Sequence, residues 1–75
     1  MNQPTPTPPS RAEIAYRLRK LAAYMADLAS EMDYFKLSEI ATHGLELAGA
    51  SSIAVQWAEE IDKELAAELR AATKL

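Results

Sequence analysis

Residues 37–72 read LSEIATHGLELAGASSIAVQWAEEIDKELAAELRAA, and the spacing inside this stretch decides the fold. Taken every third and fourth residue it gives Leu37, Ala41, Gly44, Ala48, Ser51, Val55, Ala58, Asp62, Leu65, Leu69 and Ala72. The steps alternate between four and three without a slip, the mark of one seam along a long α-helix. A second row, Ile40, Leu47, Ala54 and Ile61, runs beside it. Most of the seam is small, so another helix can approach it closely. No proline interrupts it, and Gly44, Gly49 and Ser51-Ser52 are the candidate breaks. Each glycine costs about 1 kcal/mol against alanine in a helix. The seam keeps its phase across residues 49–52, so one continuous helix over about 38–73 is expected. A break near 49–52 would give a three-helix bundle instead.

Upstream, Ile14, Leu18, Leu21, Met25, Leu28, Met32 and Phe35 repeat the same alternation. Ala12, Ala15, Ala22, Ala26 and Ala29 form a smooth strip beside that row. Ser10 followed by Glu13 reads as a capping box, which places a first helix at about 10–33. Asp33-Tyr34-Phe35-Lys36 is the turn, and Ser38 is the expected N-cap of the second helix, with Glu39 favourably placed against its dipole. Residues 1–9 hold four prolines and no charge, which predicts an extended or disordered tail ahead of a helical hairpin domain at 10–75.

Folding the chain at the turn brings the two rows together antiparallel. Leu28 is then expected to face Gly44, Met25 to face Ala48, Leu21 to face Ser51, and Leu18 to face Val55, large against small in almost every pair. In that register Ile14 meets Ala58 and Arg11 meets Asp62. The fold class is therefore all-α, an antiparallel two-helix hairpin. A lone hairpin of this kind leaves apolar surface uncovered: the alanine strip of the first helix, and Ile53, Trp57 and Ile61 of the second. A homodimer closing into a four-helix bundle is the economical answer.

Composition narrows the function. A chain of 75 residues without cysteine has neither a disulfide nor a thiolate metal site to hold it. A net charge of −3 argues against non-specific nucleic-acid binding. No apolar run is long enough to span a bilayer and no apolar stretch of a leader follows Met1, so the expected location is the cytoplasm, with no membrane insertion. Catalysis has no foothold: no cysteine, one histidine, and no paired carboxylates in a pocket. The chain is expected not to be an enzyme and to need no cofactor.

Several residues invite a sharper reading. Trp57, with Ile53, Glu60, Ile61 and Glu64 around it, is the candidate partner-binding surface, because tryptophan often carries binding energy; burial in a dimer core is the plainer account of it. His43 with Glu39 and Glu46 shares one helical face, yet three ligands from one exposed helix make a poor metal site, and the solvated face is the better account. Arg17, Arg19 and Lys20 are a small basic cluster that either touches phosphates or faces Glu59 and Glu60 across the hairpin or the dimer mate. Glu59, Glu60, Asp62 and Glu64 form an acidic patch able to attract a basic surface, or simply to solvate the helix.

The run Glu39-Ile40-Ala41-Thr42-His43-Gly44-Leu45-Glu46-Leu47-Ala48-Gly49-Ala50, with Ala54, Trp57-Ala58, Ile61-Asp62 and the earlier Arg17-Leu18-Arg19-Lys20-Leu21-Ala22, resembles small early proteins of temperate transposable phages. Several of these are helical hairpins that dimerise. Some bind and inhibit host proteins, including the type IV pilus assembly ATPase and a quorum-sensing transcription activator. The resemblance implies a phage-encoded modulator of a host protein in the host cytoplasm, with no catalytic residue. The alternatives are a nucleic-acid-binding regulator on the same dimeric scaffold and a structural assembly subunit.

Overall fold

The computed structural model describes residues 7–73. Two helices account for nearly all of it: α1, Arg11–Met32, and α2, Glu39–Thr73, joined by a 3₁₀ turn over Asp33–Phe35. They run antiparallel as a hairpin. The proline-rich tail falls largely outside the described residues; the part within them, residues 7–10, is not helical.

The helix ends follow from local chemistry. Ser10 is extended and its Oγ accepts the Glu13 N–H at 3.0 Å, satisfying one of the orphan donors at the start of α1. The expected capping box forms only in this half, since the Glu13 carboxylate turns to Arg17, 3.3 Å away. At the turn, the Ser38 hydroxyl accepts the Ile40 N–H at 3.2 Å and donates to the Phe35 carbonyl at 3.1 Å. One side chain thus closes the turn and caps α2, which is why no glycine is needed there. α2 runs unbroken through Gly49–Ser52, with no positive φ among the described residues.

The seam between the helices differs from the sequence expectation in one respect. Ala15, Ala22 and Ala29 of α1 are buried, and they meet Gly44, Ser51, Ala54 and Ala58 of α2. The Ser51 hydroxyl donates to the Ala22 carbonyl at 2.8 Å, and Gly44 lies against Ala29 and Met32. The facing pairs Leu28–Gly44 and Leu21–Ser51 are therefore corrected to Ala29–Gly44 and Ala22–Ser51. The levels along the hairpin stay nearly as expected, but α1 is turned by one residue, about 100° about its axis. Small residues meet small residues: Ala15, Ala22 and Ala29 of the alanine strip expected to be left uncovered form the contact, while Ala12 and Ala26 stay exposed. The physical reason is closeness of approach. A Cβ built on Gly44 would stand 3.0 Å from the Met32 Cβ and 3.1 Å from the Ala29 carbonyl oxygen, so no leucine fits between the helices there.

The ion pairs shift with that rotation. Arg11 pairs with Glu68, and more distantly with Glu64 at 3.9 Å, rather than with Asp62. Asp62 instead takes Arg19 at 2.5 Å. The molecule is 13 Å through its thinnest direction, about one helix diameter, so the two helices form a single layer with nothing packed above or below.

Candidate functional site

The seam divides the single layer into two unlike faces. At 100° per residue, Arg19, Ala26 and Ser30 lie to one side of the α1 alanines, and Leu18, Leu21, Met25 and Leu28 to the other. Because the helices are antiparallel, Ala41, Ala48 and Val55 of α2 share the first side. The second side takes Leu47, Ala54 and Ile61 of α2 and, further out, Ile53 and Trp57. The first face is a shallow groove of small residues, lined by Ala26, Ser30, Ala41, Ala48 and Ser52 and bridged toward the open end by Arg19–Asp62.

The second face is the candidate site. No side chain larger than serine is buried among the described residues; the core is Ala15, Ala22, Ala29, Ala54 and Ala58 with Gly44 and Ser51. The large apolar side chains are displaced onto the second face: Leu21 is 51% exposed and Trp57 54%, with Leu28, Ile40 and Ile53 also exposed and Leu18, Met25, Leu47 and Ile61 half-buried. Each leucine-sized side chain left in water forgoes about 1.5–3 kcal/mol of burial. The middle of the strip holds no charge. Its α1 edge carries Arg17 and Tyr24 with Glu13 and Glu31 beside them, and its α2 edge carries Glu46, Glu60 and Glu64 on either side of Ile53 and Trp57.

The residues singled out in the sequence separate accordingly. Among those expected to pack the hairpin, Gly44 is buried and Leu18, Met25 and Val55 are half-buried, whereas Leu21, Leu28 and Ala48 are exposed. Ile53, Trp57 and Ile61 share the apolar face, while Glu60 and Glu64 rim it. The residues that the sequence reading undervalued are Leu21 and Leu28, which belong to this face and not to the seam.

The basic cluster disperses. Arg17 binds Glu13, Arg19 binds Asp62 on the opposite face, and Lys20 stands 5.4 Å over the Tyr16 ring. Glu59 and Glu60, the expected acceptors, receive neither arginine. His43 Nδ1 lies 3.0 Å from Glu46 Oε1, an exposed local pair. No group of three potential metal ligands occurs among the described residues. The Glu68 carboxylate, hydrogen-bonded and opposite in charge, raises the Arg11 pKa further above its already high value. No helix among the described residues is long and apolar enough to cross a membrane.

Comparison of the chain with protein-family models, with curated proteins and with solved structures returns no match.

Proposed function

We propose that this chain is a non-enzymatic protein-binding modulator that works as a homodimer. Two hairpins close their apolar faces into a four-helix bundle, and the edge around Trp57, Glu60 and Glu64 presents the surface for a further protein. The observation that carries this reading is the inversion of the core. The hairpin seals alanines inside and sets Leu21, Leu28, Ile53 and Trp57 on one uncharged face. A 75-residue chain with so little buried inside itself gains its stability by covering that face. With the resemblance to phage early proteins, the further partner is a host protein and the site of action the host cytoplasm. Arg17 and Arg19 point to different faces, each beside a carboxylate, which favours this reading over the nucleic-acid alternative.

The test sets wild type beside Trp57→Ala, measuring mass, helicity and capture of a protein from host lysate. Retained helicity and retained dimer with capture lost supports the edge as the partner surface. Loss of the dimer itself puts Trp57 in the dimer core and overturns its assignment to the partner.

A further inference from the structure

We infer that the two copies associate about a two-fold axis parallel to the helices, placing α1 of one copy over α2 of the other and both turns at the same end of the bundle. This rests on the dimeric reading above and adds its direction. Two hairpins laid face to face have two symmetric ways to meet. An axis along the helices stacks α1 on the partner's α2. An axis across them stacks α1 on α1 and α2 on α2, with the turns at opposite ends.

Charge separates the two. α1 carries four basic and three acidic residues, a net +1; α2 carries two basic and seven acidic, a net −5. Stacking like on like would set the edge bearing Glu46, Glu60 and Glu64 against its own copy, and like-charge rows at an interface disfavour association. The parallel axis sets that edge against the α1 edge instead. The Ala22–Ser51 hydrogen bond fixes the levels, so that Arg17 stands level with Gln56. A parallel two-fold preserves height, so the mixed-charge α1 edge around Arg17 and Glu13 of one copy, rather than a second row of carboxylates, stands beside the α2 edge of the partner subunit.

The unequal lengths of the helices point the same way. α1 begins at Arg11, level with Asp62, and α2 runs on to Thr73. Leu69, 67% exposed, lies in this overhang with the half-buried Leu65. Both face inward, toward the line that becomes the bundle axis. When the turns share one end, the two overhangs emerge together at the other and cover each other's leucines. When the turns are at opposite ends, each overhang projects alone.

The chain has no cysteine, so one nitroxide label at Lys36→Cys, an exposed turn position, reports the arrangement in the 75-residue chain. Circular dichroism and sedimentation on the labelled chain accompany pulsed dipolar spectroscopy. A label-to-label distance below about 25 Å is expected, because both turns then lie within one bundle cross-section of helices spaced about 8–10 Å apart. A distance of about 33 Å or more, the length of α1 at 1.5 Å per residue, would overturn the shared end while leaving the dimer standing. A helical chain sedimenting at 8.2 kDa with no dipolar signal would overturn the direction and the dimer together.

Discussion

The Ser51 hydroxyl reaches across the hairpin to the Ala22 carbonyl at 2.8 Å, the buried polar contact between the helices among the described residues. The bond pins the level of α2 against α1, while the small volume of both residues sets how closely they approach. These two roles are separable. Ser51→Ala keeps the volume, leaves the Ala22 carbonyl its helical partner and gains helix propensity, so stability should move by less than about 1 kcal/mol. Ser51→Leu forces the seam open and should cost about 3 kcal/mol. Thermal melts followed by circular dichroism distinguish them.

The two glycines of α2 should respond in opposite directions to the same change. At Gly49 nothing lies within 4 Å of an added Cβ, so Gly49→Ala should stabilise by about 0.5–1 kcal/mol through helix propensity and a less flexible unfolded chain. At Gly44 the added Cβ meets the Met32 Cβ at 3.0 Å and the Ala29 carbonyl oxygen at 3.1 Å. Since the obstacle includes backbone, overpacking of about 1–3 kcal/mol outweighs the same propensity gain. For a domain of this size the melting temperatures of the two variants should differ by about 5–15 °C, Gly49→Ala being the higher.

Much of this was legible in the sequence, and what was not has a definite cause. The seam through Gly44, Ser51 and Ala58, the continuity of α2 and the two serine caps follow from spacing and residue type. The rotation of α1 does not. Leu21 and Leu28 repeat every seven residues, and so do Ala22 and Ala29; both rows satisfy the same period at almost the same level. Large-against-small and small-against-small are both sound packings, and only the approach distance at Gly44 selects between them. The consequence reaches the site: the rotation decides that leucines, rather than alanines, face outward.

Size changes at neighbouring positions should therefore have different readouts. Ala22→Leu, at a position 3% exposed, should disrupt the hairpin and lower helicity. Leu21→Ala, one residue away, should keep the wild-type helicity in the dimer that forms at high concentration and weaken self-association instead, by at least about tenfold if the two leucines of a dimer together contribute about 1.5–3 kcal/mol. Circular dichroism at high concentration and sedimentation across a dilution series read the two effects independently. Loss of folding in Leu21→Ala without any change in mass would place this leucine back in the seam.

The Arg19–Asp62 bridge is short at 2.5 Å, yet both side chains are well exposed to solvent. A double-mutant cycle through Arg19→Ala and Asp62→Ala should give a coupling of about 0–1 kcal/mol, shrinking further at about 0.5 M salt. A larger, salt-insensitive coupling would mean that the groove beside the bridge is covered in solution.

Closure of the outward leucine face by a second copy is tested most directly by the molar mass of the wild-type chain in solution. Sedimentation equilibrium across the micromolar range should give twice the 8.2 kDa chain mass, with helicity and melting temperature falling together on dilution. A species of 8.2 kDa that stays helical and melts cooperatively, at a temperature independent of concentration, would contradict it.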